Sequence, residues 1–396
     1  MRALLLLVVA VFALLLAGGA RAQSADAAAF APCPYCDDDP ALLAKLGLVR
    51  HGAMPFGARD SLAVAAGAPR GTWWFLESAH FRVALGIGAC AIEPARIDAV
   101  ERELALLRAV LPKVPRSPRK LDPPLRLHLA VQRLEHSYAR IQRALGVADA
   151  DFPESRPLDG PFMGDGRFLG EKDKFEFAIF ASEADHNAWI KPFSGATVTD
   201  TLRWHFSPQH KLHASVPAHD SDIRTDLGLH THLVHNLAHL MLCAYKHFSY
   251  DPPAWLDEGL AIYFEKEIDP NAITLEGQEG GSKSVRPPAN FAARARALAQ
   301  SDGGPRFARL LGLREVADFE GDDLVASWAI AKFLVEAHPQ PFARFVGALK
   351  GQLDERGVPT GRDLGGLQRK LLQELWQWNP QQLDREWRAW FSAQKR

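Results

Sequence analysis

The chain has 396 residues, with 46 Lys and Arg set against 47 Asp and Glu and a pI near 7.0. That balance excludes binding driven by a basic nucleic-acid surface or a generally basic membrane face. The length suffices for one large domain, or two subdomains, around a substantial core.

Residues 1–22 have the form of a signal peptide: Arg2 supplies the positive start, residues 4–16 are apolar throughout, and Ala20-Arg21-Ala22 is a small-x-small site before Gln23. The apolar run is short for a membrane span, and Gln23 stands where a lipoprotein would need Cys. The expected product is exported, periplasmic or secreted, with no integral membrane segment after cleavage.

Residues 23–71 are rich in Ala, Gly, Pro and Asp and lack sustained periodicity outside a short helical stretch near 41–48, which predicts an arm that is extended on the domain or partly disordered. Within it, Cys33-Pro34-Tyr35-Cys36 is similar to a glutaredoxin redox motif, but Asp37-Asp38-Asp39-Pro40 follows where that motif needs a helix N-terminus. Asp37 also excludes haem attachment, which needs His there. Cys90 and Cys243 complete the set, and four cysteines permit three full pairings. In an oxidising compartment Cys33, Cys36 and Cys90 are the candidates for a disulfide tethering the arm, whereas Cys243 reads as a buried thiol.

A folded domain is expected over residues 72–395. Ile97, Val100, Leu104, Leu107 and Val110 form a helical stripe over 94–111. Leu125, Leu127, Leu129 and Val131 alternate, which predicts a half-buried strand with His128 on its exposed face. A helix follows at 134–145, a Pro- and Gly-rich loop at 151–170, and a short strand at 175–180. After a glycine-rich connection at 276–288, helices are expected at 325–337, 342–349, 367–378 and 380–391, the last with a core stripe of Leu383, Trp387 and Trp390. The fold class is therefore α+β, with lobes at about 72–265 and 266–395.

Chemistry concentrates between 226 and 265. Helices are expected at 230–245 and 253–265, broken at Asp251-Pro252-Pro253. On the first, His235 and His239 have i,i+4 spacing and share a face. On the second, Glu258 sits in Trp255-Leu256-Asp257-Glu258-Gly259. Two imidazoles and a carboxylate make a three-ligand zinc site with a coordination position left open. His232, three residues before His235, is an alternative ligand. His205, His210, His213, His219, His230 and His247 read as loop or surface residues.

With these residues the chain resembles the gluzincin metallopeptidases, in particular the exported bacterial branch called peptidase MA-like. Their pattern is HExxH, followed on a second helix by a ligand Glu within WLxEG. Over residues 72–395 the resemblance implies a zincin-like fold: a small mixed-sheet lobe whose opening strand is 73–85, an active-site helix and a helical C-terminal lobe. It implies zinc held by His235, His239 and Glu258, and a cleft whose edge strand pairs with a peptide or protein ligand, with 175–180 and 211–216 as candidates for that strand.

Two positions depart from the family. Asn236 replaces the general-base Glu, and an amide does not accept and return a proton near neutral pH. Downstream of Glu258, only Tyr263 and His338 are left as oxyanion donors, and Leu324 stands four before Trp328 where the branch often has Tyr. The leading expectation is a pseudo-peptidase that binds peptide or protein. The alternatives are an active peptidase using Asp226, Asp257 or Glu265 as proton acceptor, and a metal-free interaction scaffold.

Overall fold

The structure, a computed structural model, describes residues 30–69, 72–155, 160–275, 286–301 and 303–394. The signal peptide and most of the glycine-rich connection lie outside these described residues. The fold is α+β. Six strands form a mixed sheet: β1 (Leu48–His51), β2 (Trp74–Ser78), β3 (Phe81–Leu85), β4 (Phe175–Phe180), β5 (Leu202–Phe206) and β6 (Lys211–Pro217). Their spatial order is β1-β2-β3-β4-β6-β5. The central strands β3, β4 and β6 run parallel, β1 and β2 continue antiparallel on one side, and β5 closes the other side antiparallel to β6.

This topology corrects the expected edge strand. β4 and β6 are both interior and buried along their whole length, so neither can accept a peptide. The edges are β1 and β5, and the one beside the middle of the chain is β5, which pairs with β6 on one side and has no strand on the other among the described residues. The single strand expected at 73–85 is a hairpin, turned where Phe81 N donates to Ser78 Oγ at 3.2 Å.

The strand expected at 125–131 is part of a long helix, Pro123–Leu145. Asp122 caps it by accepting from Leu125 N, and two prolines occupy the first turn, where their missing N–H groups cost nothing. The alternation misleads because the first half of this helix is buried on every side. Arg126 donates to the carbonyls of Gly88 at 2.6 Å and Arg224 at 2.9 Å, and His128, far from exposed, lies against the Cys33 sulfur.

The arm is likewise more ordered than its composition suggests. Leu48–His51 joins the sheet as β1, Asp60 caps a short helix at Ser61–Gly67, and Cys33, Cys36, Met54, Phe56 and Val64 are buried. All four cysteines are free thiols, so no disulfide among Cys33, Cys36 and Cys90 ties the arm down.

Beyond residue 286 the lobe is helical, with long helices at Gly321–Ala337, Pro339–Leu349, Leu364–Trp376 and Pro380–Ala393. Leu383 and Trp387 are fully buried and Trp390 packs at the margin of the same core. Among the described residues no helix is long and apolar enough to cross a membrane.

Candidate metal centre

Two helices carry the site, and the sequence explains how each is held. The first spans Asp226–Ala244; Thr225 caps it, accepting from Gly228 N at 2.9 Å. It runs through the core, so nearly every residue from Thr231 to Leu242 is buried and its apolar residues show no one-sided stripe. Its last turn leaves carbonyls without helical partners. Lys350 Nζ donates to three oxygens there and beyond, those of Cys243 (3.1 Å), His247 (3.0 Å) and Tyr250 (3.0 Å), fixing the connection to the next helix.

That second helix spans Ala254–Ile268. Trp255 is fully buried, packs edge-on against Phe307 and donates from its indole nitrogen to Gln368 at 2.7 Å, pinning the helix to the C-terminal lobe. Gly259, next to the candidate ligand, is required by packing: a Cβ there would lie 2.5 Å from the Ser327 carbonyl oxygen on helix Gly321–Ala337. The Trp-Leu-x-Glu-Gly segment is thus as much a docking surface as a ligand donor.

The structure brings His235, His239 and Glu258 together. All three are essentially inaccessible to solvent, and one ligand atom from each lies within 4.8 Å of the others. The two Nε2 atoms are 3.1 Å apart, and His239 Nε2 is 3.6 Å from Glu258 Oε2. A tetrahedral zinc site with bonds of about 2.0–2.2 Å places ligand atoms about 3.3–3.5 Å apart, so these separations match it. Neither oxygen of Glu258 has a hydrogen-bond partner among the described residues, and burial pushes its carboxyl up to about 7. Burial, with Arg203 nearby, brings His239 down to about 4. A buried carboxyl group facing two imidazole nitrogens is the donor set that a divalent cation satisfies.

Behind each imidazole stands a carboxylate. His239 Nδ1 lies 2.9 Å from Asp257 and His235 Nδ1 lies 3.3 Å from Glu265, which turns both Nε2 atoms inward. Burial opposes ionisation of Glu265, but hydrogen bonds from His235 and Thr274 outweigh it and hold the carboxyl below its ordinary range. Asp257→Asn and Glu265→Gln should each weaken zinc binding by about 10- to 100-fold, measured by competition with a chromophoric chelator. An unchanged affinity in both variants would remove this supporting role.

Asn236 is fully buried between these groups. Its Nδ2 donates to His232 O at 3.1 Å and its Oδ1 accepts from Arg203 Nη1 at 3.2 Å. Arg203 lies on the edge strand β5 and was not anticipated from sequence. His232 hydrogen-bonds Thr201 Oγ1 at 2.7 Å and stands outside the cluster of ligand atoms. Tyr263 bonds Glu267 at 3.1 Å, and His338 packs among Phe333, Trp376 and Trp378. Of the histidines read as loop or surface, His213 is fully buried 3.3 Å from Glu176, and His247 is buried against the Lys350 carbonyl.

Two cavities flank the edge strand. One, of about 520 Å³, is lined by Thr201, His232, Glu265 and Thr274; the other, of about 460 Å³, by Arg203, Trp204, His239, Asp257 and Arg314. His239 of the trio reaches the second cavity, and Glu265, which stands behind His235, reaches the first. Compared with models of known protein families the chain matches none, and compared with curated proteins it matches none.

Proposed function

We propose that this chain is a zincin-like protein that holds Zn²⁺ through His235, His239 and Glu258 and binds extended peptide along β5 without hydrolysing it. The observation that carries this reading is a well-formed ligand trio beside a base position filled by an amide, whose oxygen is already engaged by Arg203. Two imidazoles and one carboxylate favour zinc over the oxygen-seeking Mg²⁺ or Ca²⁺. When bound, the ion would supply a Lewis-acid centre to a carbonyl oxygen.

The rest falls to the protein. Asp257 and Glu265 orient the imidazoles, Arg203 fixes the amide, and the bare edge of β5 offers backbone donors and acceptors to a peptide strand. The other conceivable proton acceptors are committed elsewhere. Asp257 and Glu265 sit on the outer nitrogens of the imidazoles, and Asp226 is bound by Arg133. Losing a positioned general base removes about 10² to 10⁴ in rate, which is the basis for assigning binding instead of turnover.

The test uses full-length protein purified without a histidine tag. His235→Ala and His239→Ala should each lower bound zinc by one ion per chain, and the unmodified protein should show no zinc-dependent cleavage of a broad peptide library. Unchanged metal content in both variants defeats the metal assignment and leaves a scaffold; zinc-dependent turnover defeats the non-hydrolytic assignment.

A further inference from the structure

A second group of metal-ligating side chains lies in the N-terminal part of the domain, where the arm meets the long helix. Cys33 and Cys36 are fully buried, the His51 side chain is 1% exposed, and His128 is buried in the first half of helix Pro123–Leu145. Ligand atoms of Cys33, His51 and His128 lie within 4.8 Å of one another. Cys33 Sγ is 3.3 Å from His128 Nε2, and Cys36, fully buried three residues on, packs in the same core cluster as Cys33. The His51 and His128 rings are tilted toward each other with centroids 6.1 Å apart.

Hydrogen bonds among the described residues leave three of the imidazole nitrogens unmatched. Both nitrogens of His51 and the Nδ1 of His128 are buried with no hydrogen-bond partner among the described residues. A buried donor or acceptor without a partner is unfavourable, and a cation at the cluster would engage the inner nitrogen of His51. The nearest carboxylate is Asp38, 3.4 Å from His51 Nδ1, placed to orient that ring from outside the cluster.

The local backbone is built around the two sulfurs. Asp37 and Asp38 both take left-handed conformations, with φ of 51° and 52°, directly after Cys36. Asp37 N donates to Cys33 O and Asp39 N to Cys36 O, both at 2.9 Å, closing successive tight turns around the two buried cysteines. A helix then begins at Pro40, capped by Asp39, so the thiols precede that helix by several residues instead of sitting on its first turn as a redox dithiol would.

We infer that Cys33, Cys36, His51 and His128 form a structural Zn²⁺ site of the Cys₂His₂ type that pins the arm to the domain. Zn–S of about 2.3 Å and Zn–N of about 2.0–2.1 Å in a tetrahedron put sulfur and nitrogen about 3.6 Å apart, close to the separation seen between Cys33 and His128. Binding converts two thiols to thiolates and releases two protons, while both imidazoles bind neutral, so no redox partner is involved. The four ligands come from a turn, the end of β1 and the long helix, which explains how a segment of loop-like composition is held as an edge strand. The inference is independent of the peptide-binding reading, because the two sites share no residue.

Cobalt-substituted full-length protein tests it without mutation. A thiolate-to-cobalt charge-transfer band in the near ultraviolet, together with intense tetrahedral visible bands, is expected. The His235, His239 and Glu258 trio has no sulfur and cannot give that charge-transfer band. The band should persist in the double variant His235→Ala/His239→Ala and vanish in Cys33→Ser, with zinc content lower by one ion per chain. His128→Gln, which keeps both thiols, guards against a folding defect in Cys33→Ser and should lose the ion as well. In the unmodified zinc protein, Cys33 and Cys36 should resist alkylation until a chelator is added. A Cys33–Cys36 disulfide with no charge-transfer band would overturn the inference in favour of a redox pair. Free thiols that alkylate equally with and without chelator would overturn it in favour of an empty cluster.

Discussion

Glu258→Gln should weaken zinc binding by more than about 100-fold, beyond the effect of losing a supporting residue, and should make the ion-free protein more stable at alkaline pH. The trio's only anionic ligand is lost while its shape is retained. The stability gain follows from linkage. Burial raises the Glu258 carboxyl from an ordinary 4.5 to about 7 in the folded, ion-free protein. A raised folded value means that the group's contribution is fully present below about pH 4.5 and is lost as pH rises through about 7. At pH 8 the folded state holds a buried, unpaired carboxylate, at a cost of about 3 kcal/mol by the shift. The neutral amide has no such cost, so with chelator present the variant and the unmodified protein should have similar urea midpoints near pH 4.5 and diverge up to pH 8. His239, brought down to about 4, acts in the opposite sense: it contributes above about 6.5 and the contribution is lost as pH falls toward 4. Above about pH 6.5 that contribution is fully present in both proteins, so it does not enter the divergence between pH 7 and 8. Excess zinc should reverse the order at pH 8, since the ion demands the ionised carboxylate. Parallel stability profiles for the two ion-free proteins would mean that Glu258 is not the desolvated group of the site.

The trio was legible because its chemistry obeys local spacing. His235 and His239 share a face by helical periodicity alone, and Glu258 follows in a segment whose Trp and Gly turn out to be packing requirements. Arg203 was not legible, because strand pairing brings it to Asn236 from a different element and no short motif announces that approach. Asp257 and Glu265 were visible as acids near the ligands, but whether an acid faces the ion or the outer nitrogen depends on side-chain direction, which spacing does not supply. The misassigned stretch at 125–131 has the same origin. Its alternating leucines mimic a half-buried strand only if Arg126 and His128 are assumed to face water, and both are instead buried, Arg126 donating to the Gly88 carbonyl and His128 lying against the Cys33 sulfur. For β4 and β6, burial on both faces erased the alternation that would have separated interior from edge strands.

Asp226→Ala should cost about 3 kcal/mol of stability, the lower end of what breaking a buried ion pair costs, and leave the affinity for zinc unchanged. Asp226 opens the helix that carries His235 and His239, and its two oxygens accept from Arg133 Nη1 and Nη2 at 2.8 and 2.9 Å. Both residues are less than 9% exposed, and Arg133 joins the helix Pro123–Leu145 to the metal-bearing helix through this pair. Burial alone would lower the affinity of Arg133 for its proton, but Asp226 and Glu103 outweigh it and hold the guanidinium charged. Removing Asp226 therefore strands a buried cation with one remaining partner, Glu103, 2.6 Å from Nη2 and a quarter exposed, which is why the lower end of the range applies. The paired change Arg133→Met/Asp226→Leu removes both charges together and should recover most of the loss, a difference that urea denaturation of the three variants measures directly. The same experiment bears on chemistry. If Asp226 were the substitute proton acceptor, its loss would abolish a zinc-dependent cleavage detectable in the unmodified protein. As an anchor held by two guanidinium hydrogen bonds, it should instead shift the unfolding midpoint while the ion stays bound.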